Sequence, residues 1–168
     1  EVIMDEEITS VGNYAFYGCS SLETVKIPDS VTRLGDYSFL GCSALSAVTI
    51  PENVTYLGNH TFDGCSALTD VKVLGNVSGG GNYTFQNCTS LKSVEVIGNV
   101  TGVGNGTFQN CSALTEILLP DSVMVIGSNA FQGCSNIAVV NTSDVGAWSK
   151  IEFSNYLSTP VYHSKKLY

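Results

Sequence analysis

Six cysteines, Cys19, Cys42, Cys65, Cys88, Cys111 and Cys134, are each separated from the next by the same 23 positions. A period in this range marks a chain built from stacked copies of one supersecondary unit, so the sequence is best read as columns counted from each cysteine. The third position is Leu22, Leu45, Leu68, Leu91, Leu114 and Ile137, and the sixth is Val25, Val48, Val71, Val94, Ile117 and Val140. The eighth runs Ile27, Ile50, Val73, Val96 and Leu119, then fails at Thr142. Positions six and eight alternate with polar or variable residues, the period-2 signature of a strand buried on one face. Each repeat therefore predicts one short strand. Val2 and Met4 fall on the same columns, which gives seven strand rungs through Val140.

The rest of the repeat reads as turns and fillers. Val31, Val54, Val77, Val100 and Val123 hold the twelfth position, and Gly35, Gly58, Gly81, Gly104 and Gly127 the sixteenth, with Gly12 before them. An unvarying glycine beside a turn supplies either a backbone with positive φ or room for close chain approach. Phe16, Phe39, Phe62, Phe85, Phe108 and Phe131 stand three residues before each cysteine, where rings on successive coils can stack as a buried ladder. A single coil cannot bury its apolar face. Stacking provides the core, and the terminal coils need caps.

Composition narrows the partners. The net charge is −8, with only seven Lys or Arg, so neither a phosphate backbone nor an anionic bilayer is an expected ligand. Ser, Thr, Asn and Gly fill the surface positions, which reads as secreted or cell-exposed. No signal peptide and no apolar run near the ~20 residues needed for a membrane span is present, and no direct membrane insertion is expected. The chain opens at Glu1, so any targeting segment or anchor is expected to lie outside it.

The cysteines allow three readings. Structural zinc usually takes ligand pairs two to four residues apart, a spacing absent here. Disulfides between adjacent coils are permitted by an extracellular setting but disfavoured by side chains lying in register with parallel directions. Buried free thiols packing as small apolar groups fit best. Nucleophilic catalysis needs a base beside the nucleophile; the histidines are His60 on a repeat turn and His163 near the end, and no GxSxG, HExxH, P-loop or DxDxDG motif occurs. No catalytic residue, cofactor or metal is expected. Asp29, Asp36, Glu52, Asp63 and Asp121 fall in loops, as solvated groups or as a weak cation site. Asn-x-Ser/Thr triplets begin at Asn53, Asn59, Asn76, Asn82, Asn87, Asn99, Asn105, Asn110 and Asn141; some would be glycosylated in a eukaryotic secretory pathway, with Asn87 and Asn110 poor acceptors because they precede buried cysteines.

The outward strand columns, five and seven after each cysteine, are the candidate partner-binding face: Thr24, Lys26, Ala47, Thr49, Asp70, Lys72, Ser93, Glu95, Glu116 and Leu118. They vary where the core columns do not, as suits recognition on a fixed scaffold, although a merely solvated face has the same pattern. Tyr14, Tyr37, Tyr56 and Tyr83 offer aromatic contacts on the turn side, some of them packed against neighbours.

The composite pattern in NYAFYGCSSLETVKIPDSVTRLG and SNAFQGCSNIAVV resembles the BspA-like leucine-rich repeat family, continuously over residues 1–143. The tail DVGAWSKIEFSNYLSTPVYHSKKLY is similar to a segment that follows such repeats, on Trp148, Ile151, Phe153, Pro160 and the Leu167–Tyr168 pair. The resemblance implies a leucine-rich-repeat solenoid, mainly β with short helical or turn segments. It would be a right-handed curved stack of about seven coils with one parallel sheet over residues 1–143, with 144–168 a C-terminal cap or connector. It also implies repetitive surface proteins of mucosal and gut bacteria and some protists, adhering to host matrix or other cells, with no shared catalytic residues. The expected function is an extracellular or cell-surface module binding a protein or glycan ligand on host or neighbouring cells, excised from a longer protein. The alternative is a passive spacer. Leu74-Gly75 and Ile97-Gly98 replace the Ile-Pro or Leu-Pro pattern's proline of Pro28, Pro51 and Pro120, and Gly80 replaces Leu34 or Leu57; the middle coils are expected to be looser or differently bent.

Overall fold

A computed structural model describes residues 2–78, 80–141 and 144–160. Its strands are short and follow one another as the chain winds. They are β1 (Val2–Ile3), β2 (Ser10–Val11), β3 (Val25–Lys26), β4 (Arg33–Leu34), β5 (Ala47–Ile50), β6 (Tyr56–Leu57) and β7 (Asp70–Val73). After these come β8 (Ser93–Val96), β9 (Gly102–Val103), β10 (Glu116–Leu118), β11 (Val125–Ile126), β12 (Val139–Asn141) and β13 (Glu152–Phe153). One helical turn, α1 (Val145–Trp148), and a 3-10 turn at Tyr156–Ser158 lie near the end. The chain is a β-solenoid whose principal strands are β1, β3, β5, β7, β8, β10 and β12, the seven expected rungs.

The register is the repeat itself: Val48 pairs with Val71 and Val71 with Val94 in parallel. The ladder is not continuous, however. β1 and β3 form one sheet, and β5, β7, β8, β10 and β12 another. Proline explains the break. The Leu74 amide donates to the Ile50 carbonyl at 3.0 Å and the Ile97 amide to Val73 at 2.8 Å. Pro51 and Pro120 have no N–H to offer the equivalent carbonyls of Ile27 and Val96. Accordingly β3 and β5 stay unpaired, and β8 pairs β10 only at Ser93↔Glu116 and Val94↔Ile117. Both pairings across the proline-free coils, β5–β7 and β7–β8, extend over four residues. In the main sheet the middle coils are thus the best paired, contrary to the expected loosening.

A second parallel ladder runs along another side of the coil and has no counterpart in the sequence reading. It comprises β2-β4-β6 and β9-β11-β13. Its interruption falls at Gly80, the residue that replaces leucine, whose amide reaches the Gly102 carbonyl at 3.1 Å. Here the anticipated irregularity of the middle coils does occur.

Between the ladders lies the core. Each of the predicted columns from Leu22 to Val123 is buried or packed against it. The phenylalanine rings stack at 5.0, 5.1, 5.4, 5.8 and 5.4 Å from Phe16 to Phe131. Of the two roles open to the sixteenth-position glycines, close approach is the one used. A Cβ on Gly35 would stand 2.6 Å from the Asn13 amide nitrogen, and one on Gly127 as close to that of Asn105. Positive φ belongs instead to two other columns, that of Tyr14, Tyr37, His60 and Tyr83, at 52–59°, and that of Gly18, Gly41, Gly64, Asn87, Asn110 and Gly133 just before each cysteine.

Beyond the last repeat, β13 pairs with β11. The Leu157 carbonyl accepts from the Phe131 amide at 3.2 Å, and Asn155 Oδ1 from the Asn129 amide at 3.2 Å. The tail so occupies the hydrogen-bonding positions of a further coil. Trp148, Ile151 and Phe153 pack on the core. Thr142, His163 and the Leu167–Tyr168 pair lie outside the described residues.

Candidate partner-binding face

Because successive side chains of a strand point to opposite faces, burying Val48, Val71, Val94 and Ile117 directs their neighbours outward. Thr24, Lys26, Thr49, Asp70, Lys72, Glu95, Glu116 and Leu118 are exposed and Ser93 is half-buried. The register brings Thr49, Lys72 and Glu95 into one row and Asp70, Ser93 and Glu116 into another. Lys72 Nζ lies 2.9 Å from Glu95 Oε2, and the Ser93 hydroxyl donates to Asp70 Oδ1 at 3.3 Å. Leu118 pairs with Asn141 but not with Glu95, since Pro120 ends that ladder. Thr24 and Lys26 lie on the separate β1–β3 sheet, and Lys26 Nζ is 3.3 Å from Glu6 Oε1.

Where β3 and β5 part, an open cleft of about 450 Å³ forms, lined among others by Thr24, Lys26, Asp29, Thr49, Pro51 and Leu74. It joins the two sheets of the face. Its sequence signal is Pro51, whose missing N–H parts β3 from β5. Exposed apolar side chains on the face are Ile3 on β1, Ile97 directly after β8 and Leu118 on β10, with polar groups between.

The turn side is organised by side-chain ladders that the columns did not disclose. Asn13, Asp36, Asn59, Asn82 and Asn105 each accept, through Oδ1, the backbone amide one coil further on, at 2.7–2.9 Å. Thr61, Thr84 and Thr107 are buried with their hydroxyls donated to Gly58, Gly81 and Gly104. The triplets at Asn59, Asn82 and Asn105 are therefore occupied structurally. Asn87 and Asn110 precede buried cysteines as expected, and both are themselves exposed, with left-handed φ values of 59° and 63°. The Asn110 amide donates to Asn87, and that of Asn87 to Asp63 Oδ1. Asn53, Asn76 and Asn99 are exposed, and the Asn141 side chain lies outside the described residues.

His60 sits in an aromatic column, stacked on Tyr37 at 5.0 Å and Tyr83 at 4.9 Å, with Nδ1 2.9 Å from Asp63 Oδ2. Tyr14 stacks on Tyr37, whereas Tyr56 is off this column and lies under the Arg33 guanidinium at 4.4 Å. Asp29, Glu52 and Asp121 are exposed, while Asp36 and Asp63 are tied into the ladders. No group of three or more His, Cys, Asp or Glu able to hold a metal occurs among the described residues.

All six cysteines are free, and every one but Cys19 is buried. From Cys42 to Cys134 each thiol donates to a phenylalanine carbonyl 26 residues earlier, at 2.9–3.3 Å. Burial, with the neighbouring Cys19 adding to it, pushes the Cys42 thiol up to about 11, and burial pushes Cys134 up to about 12. Burial also raises Cys65, Cys88 and Cys111, with adjacent thiols contributing. Such protonated thiols are poor nucleophiles.

A family model described as "BspA type Leucine rich repeat region (6 copies)" matches residues 9–138. A leucine-rich repeat protein of T. pallidum is 26% identical with a TM-score of 0.75, covering 96% of this chain and 78% of that one. One from Eubacterium ventriosum, 24% identical at the same TM-score, is covered over 43% of its length by 92% of this chain, and so shares the fold with less than half of itself. No curated protein matches the sequence.

Proposed function

The chain belongs to the BspA-type leucine-rich repeat family, and we propose that it is an extracellular or cell-surface module of adhesion type. It would bind a protein or glycan partner across the outward face of the main strands and carry no catalytic activity of its own. The family supports the broader class, a protein-binding repeat module, and no described helix is long and apolar enough to cross a membrane. The observation that carries the reading is the exposure of variable residues, in register from Thr49 to Glu116 and flanked by Thr24, Lys26 and Leu118, over a core that repeats. Extended solenoid surfaces bind across many coils in this way. Residues 144–168 would be its C-terminal cap or connector, and the coil-like pairing of β13 and Asn155 supports the cap.

The polar middle of the face favours one second reading, a passive spacer that holds another domain away from the cell. The two separate on a face variant. Charge reversal at Lys26 and Lys72 abolishes retention of a partner from host-matrix or cell-surface extracts if the face binds. If these variants retain the same proteins as the parent, or the parent retains none above background, the face is not the recognition surface.

A further inference from the structure

Fifteen positions after each cysteine the column reads Leu34, Leu57, Gly80, Val103 and Ile126. The four side chains in it are buried. At Gly80 none exists, and a cavity of about 60 Å³ lies there, walled by Leu57, Val77, Phe85, Val103 and Ile117 among others. Its hydroxyls, Thr84 and Thr107, are already donated to the carbonyls of Gly81 and Gly104. At ~10–15 Å³ for each water-sized sphere, the space holds about five, yet a water needs two to four polar partners and these walls provide none. The space suits carbon. A Cβ on Gly80 would meet nothing nearer than the Gly102 carbonyl at 3.5 Å, so the missing atoms are those of the side chain the column otherwise carries. The wall is not sealed: the lining residues Val96, Val100 and Pro120 are partly exposed, and Leu118 is exposed at 41%.

We propose that the Gly80 cavity is a binding site for a branched aliphatic group of four or five carbons, the size of the leucine side chain that neighbouring coils place in this column. The group enters where the β8–β10 ladder is cut short by Pro120, and fills the core in place of the absent residue. This inference concerns the cavity alone and does not rest on recognition by the strand face.

Methyl-labelled chain is titrated with 3-methylbutan-1-ol and, in a parallel arm, with N-acetyl-leucine amide, for the parent and Gly80→Leu, with methyl shifts read by NMR. Saturable shifts at Val77, Val103 and Ile117 are expected in the parent, with affinity at least tenfold weaker in Gly80→Leu. Saturation by the alcohol alone assigns a free small molecule as the source, and tighter saturation by N-acetyl-leucine amide than by the alcohol assigns a side chain presented by a polypeptide. If Gly80→Leu does not fold, Gly80→Ala and Gly80→Val provide a series in which affinity falls as the cavity shrinks. No saturable shift in the parent with either probe, or equal affinity across the series, overturns the proposal.

Discussion

Two adjacent glycines, Gly80 and Gly81, have opposite expected responses to the same added methyl group. At Gly81 a Cβ would fall on the Gly58 carbonyl, with the Leu57 oxygen at 2.7 Å. Relief requires the coils to part by roughly 1 Å, which forfeits a quarter to a half of each dispersion contact across that interface. Gly81→Ala is therefore expected to cost about 2–3 kcal/mol, the upper part of the range for overpacking. At Gly80 the nearest atom is 3.5 Å away and the void is apolar. Gly80→Ala restricts the unfolded chain, contributing about 0.4–1 kcal/mol, and buries one more carbon, about 0.8 kcal/mol. The variants should differ by about 4 kcal/mol, or roughly 2 M in urea midpoint for a slope near 2 kcal/mol/M. Urea unfolding followed by circular dichroism measures this. If Gly80→Ala destabilises as much as Gly81→Ala, close coil approach is not what distinguishes the glycine columns.

Other outcomes follow from the same packing. Phe62→Ala, which removes a fully buried ring stacked on both sides at 5.1 and 5.4 Å, is expected to cost about 3–5 kcal/mol in urea unfolding. Asn82→Ala leaves the Asn105 amide without its 2.9 Å acceptor and should cost about 1–2 kcal/mol, whereas Glu95→Lys, which breaks an exposed pair, should cost under about 1 kcal/mol. Thiols raised in the folded state stabilise fully below their unfolded value near 9. That stability is lost as pH rises toward 11–12, because only the unfolded chain ionises freely. Each such thiol adds about 1.4 kcal/mol per pH unit to the slope, so replacing Cys88 and Cys111 by alanine should flatten alkaline unfolding measured between pH 9 and 11.

The columns were legible because a solenoid repeats its environment as well as its sequence. Leu45 and Leu68, Val71 and Val94, and Phe39 and Phe62 each occupy equivalent buried sites, so a periodic residue type declares a periodic contact. Departures are harder to read because their meaning depends on what the neighbouring coil offers. Leu74 and Ile97 read in the sequence as departures from the proline of the other coils, yet each restores an N–H that the main ladder uses. Gly80 appeared as one substitution but interrupts the second ladder and leaves the cavity. In the sequence Asn59, Asn82 and Asn105 read only as potential glycosylation triplets and Asp36 as a loop carboxylate, since spacing does not reveal that Oδ1 reaches the next coil's amide. The outward position of Thr49, Lys72 and Glu95 followed from strand alternation, while the cleft beside Thr24 and Lys26 required knowing that β3 and β5 do not pair.

The most direct measurement is a quantitative affinity capture from host-matrix and cell-surface extracts with three immobilised chains: the parent, a face variant (Thr49→Arg, Asp70→Lys, Glu95→Lys), and a control variant (Thr32→Arg, Thr55→Arg) at exposed positions beside the second ladder. The account predicts a partner retained by the parent and the control variant and lost by the face variant, with all three equally folded by circular dichroism. A partner retained equally by the face variant, or none retained by the parent, would contradict it.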